Sequence, residues 1–152
     1  MKERLFNKDI TDILFRLLFS SIFIGMGMEH LLSDDLIQEM MPDWLPQKRM
    51  ISLSSGFILL AGGATIVVGY KVHQGAGLLA LFLITVTIFI HGPELFVKPI
   101  GLSADWLWLW EVYQRSNFVK NLCLVGVCIH LLNYSSGKYS LDYVVENFQK
   151  NK

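Results

Sequence analysis

The chain has 152 residues, of which 53% are hydrophobic and 17% charged, and its formal net charge is zero. The apolar share exceeds the roughly 45–50% that is usual for soluble domains. The basic residues are scattered and balanced by acidic ones, which argues against a nucleic-acid partner. These numbers favour a small membrane protein with no room for a second, soluble domain.

Four apolar stretches follow one another along the chain. They cover residues 13–32, 51–70, 75–91 and 118–134. A bilayer core needs about 20 apolar residues in helical form, with about 17 as the lower limit. We therefore expect residues 1–152 to form one all-α integral membrane domain, in which four transmembrane helices make an antiparallel bundle.

An aromatic run precedes the fourth stretch, with Trp106, Trp108 and Trp110 alternating with leucines. Tryptophan is enriched at the level of the lipid head groups, and an open sheet edge cannot lie in lipid. We therefore expect a short interfacial aromatic segment at this point rather than a strand.

The second stretch carries a cluster of small residues that includes Gly56, Gly62 and Gly63. In lipid, helices associate where small residues let their backbones approach closely. We expect these three glycines to form a helix-packing surface without a chemical role.

Ionisable side chains also occur in or beside the apolar stretches, where they are costly and usually face the interior of a bundle. Because successive spans alternate in direction, the ends of the first and third spans share a membrane face with the start of the fourth. The candidate polar pocket consists of six residues at these ends: Glu29, His30, His91, Glu94, Lys120 and Asn121. Such a set can bind a polar head group, move protons or hold a quinone ring.

Helical spacing predicts which side chains face inward. On the first span the predicted inward stripe is Arg16, Ser20, Phe23, Gly27 and His30. On the fourth it is Lys120, Cys123, Val127 and His130.

Three interpretations of the six pocket residues stay open. They form a functional pocket, or a purely structural network of ion pairs, or unconnected side chains that extend to the interface. If Lys120 and His91 share a pocket with Glu29 or Glu94, that carboxylate would hold Lys120 protonated despite its partial burial. We expect no metal site, since the chain has no H-E-x-x-H motif and the neighbouring Glu29 and His30 point apart on a helix.

The order and spacing of several motifs resemble the DoxX family of four-helix membrane proteins. The motifs are Arg16-Leu-Leu, Gly25-Met-Gly-Met-Glu-His-Leu, Met41-Pro-Asp-Trp-Leu-Pro46, Ser55-Gly56, Gly62-Gly63, Ile88-Phe-Ile-His91, Lys120-Asn121-Leu122 and Tyr139-Ser-Leu-Asp142. The resemblance covers about residues 13 to 142.

This resemblance implies a subunit of the bacterial inner (plasma) membrane that supports redox chemistry of the quinone-linked oxidoreductase type. In that role His91 and Glu94 would handle protons, while Lys120 and Asn121 would donate hydrogen bonds to a carbonyl or an anion. Quinone is the cofactor that it suggests, and whether the chain is itself an enzyme stays open. The expected partners are the lipid bilayer and either protein subunits or further copies of the chain. The alternatives are a non-enzymatic scaffold or assembly subunit, or a small transporter.

Basic residues in the loops predict the orientation of the bundle. Seven lie on the side of the two termini, and the four on the other side are Lys48, Arg49, Lys98 and Arg115. Cytoplasmic loops carry the excess of Lys and Arg, so we expect both termini of this multi-pass protein in the cytoplasm.

Labelling with a membrane-impermeant thiol reagent tests this orientation in a variant that lacks Cys123 and Cys128. A cysteine in place of Ser103 is expected to react from the periplasm, whereas one in place of Ser136 is expected to be spared. The reverse pattern would show that the orientation is wrong.

Overall fold

The structure is a computed structural model that describes residues 7–98, 103–135 and 137–150. Its helices are, in chain order, α1 (Lys8–Leu32), α2 (Asp34–Glu39), α3 (Lys48–Val68), α4 (Val72–Val86), α5 (Gly92–Glu94), α6 (Ala104–Leu131) and α7 (Leu141–Lys150). A π-helical turn, Thr87–His91, joins α4 to α5. No strand occurs in these ranges, so the all-α prediction is confirmed.

Three helices are long and apolar enough to cross a membrane: Lys8–Leu32, Lys48–Val68 and Val72–Glu94, the last of which combines α4, the π turn and α5. The fourth predicted span lies in α6, which does not meet the same standard. Its 28 residues reach about 42 Å at 1.5 Å per residue, so composition rather than length separates it from the others. The fourth span therefore stays a prediction.

Helix α6 nevertheless extends from one end of the bundle to the other. It packs mainly against α4. Near its start, the Gln114 side chain meets His91 at the end of the π turn. Just beyond its end, the ring of Tyr134 lies 6.1 Å from that of Phe15, in the second turn of α1. Helix α6 thus returns the chain to the end at which α1 begins.

The aromatic run forms a helix rather than a strand, as expected, and its position at the level of the lipid head groups stays a prediction. Trp106, Trp108 and Trp110 lie in the first turns of α6, which continues unbroken to Leu131. The physical reason is that no glycine or proline occurs between Ala104 and Val125 to end a helix.

Glycines mark the contacts that α3 makes with its two neighbours. A Cβ atom added to Gly27 of α1 would lie 3.1 Å from the carbonyl oxygen of Gly56, and one added to Gly56 would lie 3.1 Å from that of Gly27. Gly63 also faces α1, whereas Gly62 faces α4, with an added Cβ 2.5 Å from Leu79 Cγ. The backbones approach closely because these positions carry no side chain.

The inward face of α1 is the predicted one. Its buried residues are Asp12, Arg16, Ser20, Phe23, Gly27 and His30. The prediction for α6 is wrong, since Cys123 and His130 are exposed. The buried positions on that helix include Gln114, Asn121, Cys128 and Leu131. Both stripes of α6 have helical spacing, so spacing alone could not choose between the two faces.

A buried guanidinium group holds together the end of the bundle at which α1 begins and α3 ends. Arg16 Nε donates to Asp12 Oδ2 at 3.1 Å, and its two terminal nitrogens each donate at 2.7 Å, to the carbonyl oxygens of Val67 and Tyr139. The Gly137 N–H donates to Asp12 Oδ2 at 3.2 Å. These bonds join the start of α1, the end of α3 and the segment before α7, so the two terminal segments lie at the same end.

Replacing Gly63 by leucine tests the packing of α3. The first added carbon would lie 3.1 Å from Ile24 Cγ1, so α1 must move, at a cost of about 1–3 kcal/mol. Ala64, exposed on the same helix, supplies the matched control. In detergent, Gly63→Leu is expected to lower the melting temperature and Ala64→Leu to leave it unchanged. Equal melting of the two variants would contradict the packing.

Candidate functional site

A cavity of about 170 Å³ lies among α1, α3, α4 and α6, towards the end of α1 that carries His30. Most of its wall is apolar and includes Met26, Met40, Met41 and Leu83. The polar side chains of its wall are His30, Ser55, His91, Tyr113, Asn117, Lys120 and Asn121. The cavity therefore combines an apolar interior with a group of hydrogen-bonding side chains, as small-molecule sites do.

Four of the six candidate pocket residues line this cavity: His30, His91, Lys120 and Asn121. Glu29 is exposed and Glu94 is half-buried, and neither belongs to the lining. Glu29 lies outside the inward stripe of α1. It comes directly before His30, and consecutive residues of a helix are rotated by about 100°. Within the described ranges, no group of three or more His, Cys, Asp or Glu side chains is placed to hold a metal ion.

Hydrogen bonds orient both imidazole rings. The Ser52 hydroxyl donates to the carbonyl oxygen of His30 at 3.3 Å, and its oxygen lies 3.2 Å from His30 Nδ1. A hydroxyl has one proton, so Nδ1 donates in the second bond when that proton goes to the carbonyl oxygen, and accepts when it does not. His91 Nδ1 lies 2.9 Å from Gln114 Oε1 and donates to it. With Nδ1 of His91 donating to Gln114, Nε2 of that ring is the nitrogen that can accept a proton when the ring is neutral.

Lys120 is a half-buried cation without a carboxylate partner. Its Nζ donates to Asn117 Oδ1 at 2.7 Å. Among the residues that the structure describes, no carboxylate oxygen lies within 4.0 Å of this nitrogen. No ion pair joins Lys120 to Glu29 or Glu94 in this structure, and two of the three N–H donors of the ammonium have no side-chain acceptor in it.

Two exposed cations, Lys98 and Arg115, are paired with one carboxylate. Lys98 Nζ lies 2.8 Å from Glu111 Oε1, and Arg115 lies 3.5 Å from the other oxygen of the same carboxylate. The hydrogen bond from Lys98 lowers the pKa of Glu111 below its usual range. Burial raises the pKa of Tyr113 above its usual value, so its hydroxyl stays a neutral donor at the cavity wall. Lys120 is thus distinguished from its neighbours by lacking a negative partner.

The π turn ends at His91 and sets the direction of that side chain. Its bond runs from the Gly92 N–H to the Thr87 carbonyl oxygen, one residue further than in an α-helix. Pro93 follows directly; it has no N–H to donate and its ring clashes with the preceding turn. Single π turns are frequent at functional sites. The Gly92-Pro93 pair is the sequence signal of this break.

Sequence reasoning missed several polar residues of α6 because the predicted span began at Phe118. Asn117 and Tyr113 line the cavity one and two turns before Lys120, respectively. Gln114, which orients His91, precedes Asn121 by seven residues. A single continuous helix through this region would have placed all of these side chains near the predicted pocket.

Comparison with known proteins supplies the family. The DoxX family model matches residues 11–92, more than half of the chain. The chain belongs to the DoxX family. This confirms the resemblance and, with the three apolar helices, identifies a multi-pass membrane protein. No curated protein and no solved structure matches the chain. The matched region contains His30 and His91 and ends before α6, which contributes Lys120 and Asn121.

The unpaired state of Lys120 is tested by comparing Lys120→Met with Arg16→Met. Removing Arg16 leaves Asp12 buried without its partner, which costs about 3–5 kcal/mol. Lys120→Met breaks no ion pair and is expected to leave the melting temperature in detergent unchanged or higher. Combining it with Glu29→Gln or Glu94→Gln is expected to give additive effects. A loss comparable to that of Arg16→Met would reveal a carboxylate partner of Lys120.

Proposed function

We propose that this DoxX-family protein is a subunit that supports quinone-linked redox chemistry, and that the cavity binds the quinone ring. The observation that carries the proposal is the unpaired ammonium of Lys120 beside the imidazole of His91 in an apolar cavity. A quinone is complementary to this site. Its flat apolar ring fits the apolar wall, and its carbonyl oxygens accept hydrogen bonds. A cavity of about 150 Å³ accommodates benzene, so about 170 Å³ suits a single six-membered ring.

The proposal gives a task to four polar side chains. Lys120 and Asn121 donate hydrogen bonds to one quinone oxygen, and a charged donor strengthens such a bond. A hydroquinone releases two protons and two electrons when it becomes a quinone. His91 Nε2 accepts these two protons one after the other, and Glu94, three residues further on and half-buried, passes each of them towards water. The electrons are exchanged with a partner subunit.

The location also belongs to the proposal. We place the protein in a bacterial inner membrane with both termini in the cytoplasm. The excess of basic residues on the terminal side supports this orientation, and the bonds of Asp12 and Arg16 support a common side for the two termini. The quinone then binds in the half of the bundle towards the periplasm.

Quenching of tryptophan fluorescence by a short-chain quinone tests binding. The wild-type protein in detergent is titrated with a ubiquinone and a menaquinone analogue, and saturable quenching is expected with at least one. Lys120→Met and His91→Leu each remove a hydrogen-bonding group from the site, and the charged one is worth about 1.5–3 kcal/mol. Lys120→Met is therefore expected to weaken binding about tenfold or more, and His91→Leu to weaken it to a smaller extent.

Lys138→Met serves as the matched control, because Lys138 is exposed near the other end of the bundle. It is expected to bind quinone like the wild type. Affinity unaffected by Lys120→Met, or no saturable quenching at all, would contradict the proposal. If the protein keeps its function when His30, His91, Lys120 and Asn121 are each replaced by a neutral residue, a scaffold role is favoured instead.

A further inference from the structure

The C-terminal helix α7 has one apolar face that no residue in the described part of the chain covers. Its apolar residues follow the i, i+3, i+4, i+7 spacing of a single helical stripe: Leu141, Val144, Val145 and Phe148. Phe148 is 71% exposed and Val144 50% exposed, and no residue of α7 is buried. Glu146 and Lys150 lie on the opposite face.

The first turn of α7 is fixed to the bundle. Both oxygens of the Asp142 carboxylate accept a hydrogen bond from the Lys71 backbone N–H, at 3.0 and 3.1 Å. The Asp142 N–H donates to the carbonyl oxygen of Gly69 at 3.0 Å. Buried Ser140 caps the helix by accepting from the Tyr143 N–H at 3.2 Å. The helix therefore starts at a defined place.

That place is a membrane surface. Gly69 and Lys71 belong to the three-residue connection between α3 and α4, two helices that are long and apolar enough to cross the bilayer. A short connection between two such spans lies where they leave the lipid. Tyr70 in this connection and Tyr139 before α7 are both exposed, and tyrosine is enriched at the membrane–water interface.

We propose that α7 is an interfacial helix that lies on the bilayer, with its stripe of Leu141, Val144, Val145 and Phe148 among the lipid chains. The stripe then continues the lipid-facing surface of the spans rather than starting a new one. A free helix of ten residues binds a membrane weakly, but the bonds of Asp142 hold α7 at the surface and raise its effective concentration there.

The charges of α7 define the kind of lipid surface. Asp142 and Glu146 outnumber Lys150, so the helix has no positive face with which to select anionic lipids. Binding therefore rests on burial of the apolar side chains, and a neutral phosphatidylcholine surface suffices. The inference is independent of what the cavity binds.

Site-directed fluorescence tests this inference on the full chain in phosphatidylcholine vesicles. Cys123 and Cys128 are first replaced by alanine. A single cysteine is then placed at Phe148, or at Glu146 on the opposite face as the matched control, and labelled with an environment-sensitive fluorophore. The label at 148 is expected to emit at shorter wavelength and to be quenched several-fold more by spin-labelled lipid than the label at 146. Aqueous iodide is expected to give the reverse order.

A further variant, with its single cysteine at Val145, repeats the measurement without removing Phe148. The same quenching by spin-labelled lipid is expected. Strong iodide quenching at 145 and 148 would place α7 in water and overturn the inference. Protection from both quenchers would overturn it in favour of a covering protein, such as a second copy of the chain. A requirement for phosphatidylglycerol in the vesicles would overturn the assignment to a neutral surface.

Discussion

The arrangement of the bundle depends on the close approach of α1 and α3 at Gly27 and Gly56. Helices in lipid gain little from the hydrophobic effect when they associate, so close packing of small residues has to supply much of the attraction. The same contact positions a functional candidate, since a Cβ on Gly56 would lie 3.0 Å from His30 Cβ. The glycines thus set where the His30 ring meets Ser52 and where one wall of the cavity stands.

Arg16 and Lys120 are cations at opposite ends of the bundle, and of the two only Arg16 has a carboxylate partner among the described residues. Arg16 is buried with Asp12 beside it and donates to two backbone carbonyl oxygens as well. Such a satisfied group holds structure together, and its removal leaves a buried charge unpaired. Lys120 is half-buried at the cavity and has only an amide oxygen as an acceptor. A cation in this state is suited to an acceptor that arrives with a ligand, which is why the proposed function is placed at this end.

The sequence was sufficient for the parts of the fold that follow from periodicity and from alternation of spans. The inward stripe of α1 and the shared location of His30, His91, Lys120 and Asn121 follow from these two rules. The inward face of α6 did not follow, because two of its faces have helical spacing. The start of α6 at Ala104 was not predicted, because the aromatic run was assigned to an interfacial segment before the fourth span. Tyr113 and Asn117 were missed for the same reason. The bond between Arg16 and Tyr139 joins residues 123 positions apart, a distance at which no local pattern gives a signal.

The central claim is that Lys120 donates a hydrogen bond to a quinone oxygen in the cavity, and infrared spectroscopy of a carbonyl-labelled quinone measures that bond directly. A quinone labelled with ¹³C at one carbonyl is bound to the wild-type protein, and its carbonyl stretch is compared with that in empty detergent micelles. The account predicts a lower frequency in the wild type for one of the two carbonyl positions, and a return to the micelle value in Lys120→Met. Identical frequencies in wild-type protein and micelles, for both labelled positions, would contradict it.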